Sequence, residues 1–352
     1  MRAAVDAAHD TRMFQEAASA ALAVRAQLNL DAQQITAIGA KVRRLAPRAV
    51  VTCARGSSDH AATYAKYLIE TRARVVTASA APSVSSVYGI RQDLRDCLFI
   101  AISQSGRSPD LLASVAAAKA SGAKVLALCN SCDSPLVAAA DWVIDLRAGP
   151  ELSVAATKSY LATLAALARL VAAWTADDVF QKEIEGLPAL MEASWSLDWS
   201  AALDVLRPAA HLYVIGRGFG LGAAQEVALK FKETCGLHAE AFSSAEVRHG
   251  PLALIGPGFP TLFLLQNDAT RPGVENAAGE LAKRGLDVLI AGARSTSRTG
   301  PGAMHLPTLA AAAELGPILN VQSAYRLIAT LSVQRGFDPD HPAHLRKVTE
   351  TI

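Results

Sequence analysis

Aromatic side chains are scarce in this chain, making up 5% of its 352 residues. A β-sandwich leans on aromatic and β-branched residues, so their scarcity beside abundant alanine favours helices packed on sheets. Charge of one sign is lacking too. Thirty-four basic residues stand against 32 acidic ones, a net charge of +2, which excludes the basic field expected of a partner for nucleic acid or an anionic membrane. The most apolar stretch, Leu161 to Trp174, is interrupted by Arg169 and falls short of the roughly 20 residues needed to span a bilayer. At the start, Asp6 and Asp10 break any apolar run of the kind a signal peptide needs. Cysteines number five; an odd count in a long chain points to reduced thiols and a cytoplasmic location. Cys129 and Cys132 have metal-like spacing, but no second pair or nearby histidine completes a four-ligand site, so the two read as loop thiols and no metal is expected.

What the chain does have is a repeat. Its length suits two domains, each able to bury a core. Val51-Thr-Cys-Ala-Arg-Gly-Ser-Ser58, then Asp59–Glu70, reads as strand, tight turn and helix; so does Tyr213-Val-Ile-Gly-Arg-Gly-Phe-Gly220, then Leu221–Glu233. An offset of 162 places Arg55-Gly56 on Arg217-Gly218 and Ala61-Ala62 on Ala223-Ala224. With the same offset the apolar run ending at Gln104 falls on the one ending at Gln266, Lys124–Leu128 lies within one residue of Leu286–Ala291, and Trp142–Leu146 lands on Met304–Pro307. Short apolar strands alternating with helical stretches predict an α/β fold, two doubly wound parallel sheets flanked by helices. The expected divisions are a helical lead over residues 1–34, a first domain over 35–190, a second over 195–335 and a tail over 336–352. Pro339 and Pro342 make that tail a surface arm that must dock somewhere.

Ligands of open parallel sheets sit beyond the carboxyl ends of the strands. Two such ends in the first half are rich in small hydroxyl residues: Gly56-Ser57-Ser58, and Ser103-Gln104-Ser105-Gly106-Arg107-Ser108 followed by Pro109. Pro109 at a first helical position and Ser108 as N-cap would leave amide groups exposed there. Amide donors, a helix dipole and several hydroxyls make an anion cradle, and a phosphate is the expected occupant. Helix capping alone explains a lone Ser-Gly; two such loops at one sheet edge favour the cradle.

Ile102-Ser-Gln-Ser-Gly106, paired with the upstream Gly-Ser-Ser turn, resembles the sugar isomerase (SIS) domain. The chain is most similar to the isomerase half of the glutamine:fructose-6-phosphate amidotransferases. The matching segments continue in that family's order through Val154-Ala155-Ala156-Thr-Lys158, Glu226–Glu233, His238–Ala241, Glu246–Leu254 and the tail that carries Lys347. The resemblance implies two SIS domains and an enzyme of hexose 6-phosphates, with Val154, Ala155 and Ala156 beside the substrate.

Aldose–ketose interconversion needs a carboxylate that carries a proton between C1 and C2, and a cation that steadies the intermediate. Lys230 and Glu233 share one helix face, and Glu226 lies one turn before Lys230. Charges at such spacings usually form a solvated face; against that, Val227 and Phe231 are apolar and the helix follows a glycine-rich turn. The resemblance implies that Glu233 is the base, with Lys230 beside it. It also implies that His249 opens the sugar ring in the neighbouring subunit's site, which makes a homodimer the expected state. The Gly-Pro after His249 marks a turn that would project the ring. Lys347, the sole lysine of the last fifty residues, is implied to meet the sugar carbonyl, as an imine or through a hydrogen bond.

The amidotransferases carry a glutaminase domain with an N-terminal cysteine ahead of their isomerase half, whereas here Arg2 follows Met1. The expected reaction is therefore conversion of glucosamine 6-phosphate to fructose 6-phosphate and ammonia, or the reverse amination, with no cofactor. Ala156 replaces a serine of the family pattern and Arg107 an acid, while Ala343 and His344 replace a more basic pair; these departures bear on the substrate more than on the reaction. Three rivals stay open: a deglycase of fructosamine 6-phosphates, a galactosamine or tagatose 6-phosphate enzyme, and a non-catalytic sugar-phosphate sensor. A DNA-binding sensor would need a basic helix-turn-helix, for which residues 1–34 are too short and too weakly basic. Gly216–Gly222 has the wrong glycine spacing for a dinucleotide fingerprint.

Overall fold

The computed structural model describes residues 7–292 and 302–347, which fall into two compact units. The first gathers Leu22–Glu151, Ser159–Gly186 and the tail from Arg346; the second gathers the chain up to Ala21, Leu152–Lys158 and Leu187–Leu345.

The first unit is built on β1 (Ala49–Cys53), β2 (Thr77–Ser79), β3 (Cys97–Ser103), β4 (Lys124–Cys129) and β5 (Trp142–Asp145), all parallel, in the order β2-β1-β3-β4-β5. The central β3 is buried at all seven positions, the mark of a strand covered on both faces. The helix Lys158–Thr175 is buried along most of its length and packs closely on the helix Ala32–Leu45. Gly39 is the contact point, since a Cβ there would lie 2.6 Å from that of Ala173. Arg43 donates to the carbonyls of Ala173 (2.5 Å) and Trp174 (2.8 Å), which lie in the last turn and have no helical partner of their own. Among the described residues no helix is long and apolar enough to cross a membrane.

The second unit repeats the plan. Strands β6 (His211–Gly216), β7 (His238–Ser243), β8 (Thr261–Leu264), β9 (Val288–Ala291) and β10 (Ala303–Leu306) form a parallel sheet of order β10-β9-β8-β6-β7, the first order read from its other edge. Each strand falls within a residue or two of its counterpart shifted by 162, as the repeat predicts. Here the helices Gly220–Cys235 and Gly316–Gln334 pack against each other, tied by Ser332 Oγ donating to the Thr234 carbonyl at 2.6 Å.

The tail does dock. The Asp340 carboxylate accepts from the amides of Arg12 (2.8 Å) and Met13 (2.7 Å), at the N-terminus of the helix Arg12–Ala18. A carboxylate there satisfies amides without helical partners and complements the helix dipole. One expectation is corrected: Cys129 is no loop thiol. It is the last residue of β4, fully buried, with its sulfur 3.5 Å from Ser134 Oγ, whereas Cys132 lies in the exposed turn.

Candidate active site

In the first unit, the turns after β1 and β3 emerge side by side because these strands are paired in register, Cys53 opposite Ala101. Gly56 takes φ +54°, a left-handed conformation that side chains disfavour, and leads into the helix Ser57–Leu68 with Ser57 and Ser58 half-buried in its first turn. Arg55 joins the two turns: its guanidinium reaches Asp110 Oδ2 through Nε (2.8 Å) and Nη2 (2.7 Å).

The second turn is shaped from within. Ser103 Oγ accepts from the Gly106 amide at 2.9 Å, and Ser105 Oγ accepts from that of Arg107 at 3.4 Å. Gly106 has φ +65°, and a Cβ there would collide with Ser134 and Cys129. Gln104 is half-buried, its carbonyl facing the Cys129 thiol. Ser108 holds the N-cap position of the helix Pro109–Ala120, as expected, but its hydroxyl makes no capping bond. Pro109 has no amide to satisfy, and Asp110 Oδ1 accepts from Leu111. The structure therefore brings Gly56, Ser57 and Ser58 together with Ser103, Gln104, Ser105 and Ser108 at one sheet edge, as an anion cradle requires.

The second unit holds the ionisable groups. Within the helix Gly220–Cys235, Lys230 is completely buried between two carboxylates, with Nζ 3.3 Å from Glu226 Oε1 and 2.5 Å from Glu233 Oε2. Glu226 is also completely buried and accepts from the Tyr325 hydroxyl at 2.9 Å. Glu233 alone of the three reaches solvent, its side chain 20% exposed. Burial by itself would lower the Lys230 pKa, but Glu226 and Glu233 outweigh it and hold the ammonium above the usual lysine range. This is no solvated face. A fixed cation braces one carboxylate at the edge of a dry interior.

Three further candidates come from other segments of the chain. Val154, Ala155 and Ala156 belong to the Leu152–Lys158 segment of the second unit, where the Glu16 carboxylate accepts from the amides of Leu152 (2.5 Å) and Ser153 (3.2 Å), and Val154 donates to the Asp340 carbonyl (3.2 Å). His249 follows the short 3-10 turn Glu246–Arg248 and is exposed, with Gly250 at φ +132° behind it. In the first unit, Lys347 Nζ lies 3.4 Å from Glu151 Oε2. Glu151 is buried there and also accepts from the amide (3.1 Å) and hydroxyl (2.6 Å) of Ser159.

A model of the SIS domain matches residues 46–173 and again 205–333. The chain belongs to the SIS-domain family. It is 36% identical to the glutamine–fructose-6-phosphate aminotransferase (isomerizing) of Pyrobaculum aerophilum, over 86% of this chain and 51% of that protein. The chain thus spans about half the length of the curated relatives it matches. Among solved structures, a provisionally assigned phosphosugar isomerase from Silicibacter pomeroyi DSS-3 superposes with a TM-score of 0.88 at 38% identity, covering 94% of this chain and 100% of that one. The C-terminal domain of the glucosamine-fructose-6-phosphate aminotransferase of Francisella tularensis gives 0.82 at 26% identity, covering 95% and 98%. Both SIS domains thus stand among sugar-phosphate isomerases and aminotransferases.

Sequence reasoning missed Glu151, Tyr325 and the Arg55–Asp110 link. Glu151 lies just before the Val154–Lys158 segment, but its partner Lys347 is 196 residues away. Tyr325 was hidden by a separation of 99 residues from Glu226. No local spacing signals such pairs.

Proposed function

We infer that this SIS protein interconverts aldose and ketose forms of an amino-bearing hexose 6-phosphate, opening glucosamine 6-phosphate and releasing fructose 6-phosphate and ammonia. The observation that carries this reading is Glu233: a carboxylate at the solvent-reachable end of a buried Glu226–Lys230–Glu233 chain. Glu233 takes the proton from C2 of the open-chain sugar while the C1 carbonyl oxygen is protonated, which leaves a C1–C2 enolamine. Returning the proton to C1 gives the 2-imine, and water then adds at C2 and expels ammonia. Glucosamine 6-phosphate plus water balances fructose 6-phosphate plus ammonia.

The remaining roles are proposed from kinship with the aminotransferases. The cradle at Gly56–Ser58 and Ser103–Ser108 would hold the 6-phosphate. Val154, Ala155 and Ala156 would line the sugar. Lys347 would meet the carbonyl, its ammonium oriented by Glu151. His249, exposed on its turn, would open the ring in the site of a second copy of the chain.

The test is release of ammonia and fructose 6-phosphate from glucosamine 6-phosphate by the purified protein, with Glu233→Gln as control. Equal release of both products, lost in the variant, supports the reading. No release despite binding of the sugar phosphate would sink it and move attention to fructosamine 6-phosphates. The shared-site role of His249 has its own test. Mixing inactive Glu233→Gln with inactive His249→Ala should restore about a quarter of the activity as subunits exchange, because one site in each mixed dimer is intact.

A further inference from the structure

The second unit contains a cavity of about 340 Å³ that the catalytic reading leaves unused. It lies between β6 and β8 and the helix Arg271–Lys283, with walls formed by Ile215, Phe263, Ile255, Leu252 and Leu281. That volume is at the small end of ligand sites, roughly 300–1,000 Å³. Thr261 also lines it; the residue is fully buried and its hydroxyl has no hydrogen-bond partner. A buried hydroxyl without a partner is uncommon in a packed interior, and a ligand atom can satisfy it.

The rim is charged. Arg248, Lys283 and Arg284 stand there against a single carboxylate, Glu280. Arg248 is engaged by Glu280 at 2.9 Å, with both side chains about half exposed. Lys283 and Arg284 make no ion pair among the described residues. Apolar walls exclude a hexose, whose hydroxyls would lose water without finding partners. A cationic rim favours an anion.

We propose that this cavity is a second ligand site, taking a small amphipathic anion whose aromatic or aliphatic body fills the apolar walls and whose acidic group meets Lys283 and Arg284. Arg248 and Leu252, both lining the cavity, bracket His249-Gly250-Pro251 in sequence. An occupant touches the loop on either side of His249 and so regulates turnover. That regulatory part rests on the role given to His249 above; the binding part does not.

The experiment uses 1-anilinonaphthalene-8-sulfonate on the full chain, followed by fluorescence and calorimetry. One site per chain is expected. Ala277→Phe, which fills the cavity, should weaken binding at least tenfold, and Lys283→Gln with Arg284→Gln on the order of tenfold. The uncharged counterpart N-phenyl-1-naphthylamine should bind more weakly, and hexose 6-phosphate should not compete. If Ala277→Phe fails to fold by thermal unfolding, the exposed double variant alone decides. Binding that ignores the double variant, or equal binding of the uncharged probe, overturns the anion site; absence of binding overturns it outright. Occupancy that leaves turnover unchanged overturns the regulation and leaves the site standing. A protein without activity on any sugar phosphate would fail the functional reading, yet the binding arms would still be scored.

Discussion

The two halves of this chain share a strand order and a sequence offset, yet equivalent positions do opposite things. In the first half the helix Ser57–Leu68 buries Tyr64 and Leu68 completely. At the same offset, the helix Gly220–Cys235 buries Glu226 and Lys230, equally inaccessible. One copy of the position completes an apolar core, and the other holds an ion triad that ends on an accessible carboxylate. The turns after β3 and β8 diverge in the reverse sense. Gly106 keeps its turn open and lined by hydroxyls, whereas its counterpart Asp268 closes the second turn on itself, accepting from the Thr270 amide (2.8 Å), the Thr270 hydroxyl (2.5 Å) and Gln266 Nε2 (2.8 Å). A carboxylate at that point also repels phosphate. The repeat supplies two equivalent sheet edges, and the two halves have diverged, one carrying hydroxyl-lined turns and the other a buried ion triad.

That division can be broken by substitution. The largest effect is expected from Glu233→Gln, which should lower kcat by about 10²–10⁴, the range of a lost general base. Its melting temperature should barely change, because Lys230 keeps Glu226. Importing the first half's residue as Lys230→Leu should cost about 3–5 kcal/mol of stability, measured by urea unfolding, since it strands Glu226 as an uncompensated buried charge. Adding Glu226→Gln to that variant should recover part of the loss. Equal stability of the single and double variants would show that the triad is not coupled.

Smaller effects sharpen the contrast between the turns. Gly106→Ala must both strain a left-handed backbone and push on Ser134, so KM for sugar phosphate should rise about tenfold, the equivalent of about 1.4 kcal/mol. Asp268→Gly in the other half should leave KM unchanged and lose about 1 kcal/mol of stability with the hydrogen bonds it accepts from Thr270 and Gln266. The weakest expected effect is a pH dependence. Burial pushes the Cys53 thiol up to about 11 and that of Cys235 up to about 12. Both thiols ionise more readily in the unfolded chain, so the unfolded state binds fewer protons above its ordinary thiol pKa. Stability contributed by neutral burial is then complete below that pKa and falls as pH rises towards 11, by at most about 1.4 kcal/mol per pH unit for each thiol. Urea midpoints from pH 8 to 10 should drop less steeply in the Cys53→Ala, Cys235→Ala double variant.

Much of this is legible in the sequence. Strand placement, the twofold plan and the hydroxyl-rich turns follow from apolar runs, glycines and serines in local order, which is information that neighbouring residues carry. The Ser108 cap was legible as a position and not as a bond, because the choice between capping and standing free depends on how Asp110 and Arg55 occupy the same turn. The burial of Lys230 was not legible at all. Charges spaced three and four apart look the same on a wet helix and a dry one.

What the sequence by itself determined is therefore the periodic part of the molecule: where strands and helices fall, and that the plan occurs twice. The tertiary structure alone decided which charged groups lose their water. Glu226 and Lys230 are enclosed because the helix Gly316–Gln334 packs over them and supplies the Tyr325 hydroxyl. Glu151 is set against Lys347 from the far end of the chain. Desolvation depends on what covers a residue, and the cover comes from segments whose distance along the chain leaves no local pattern.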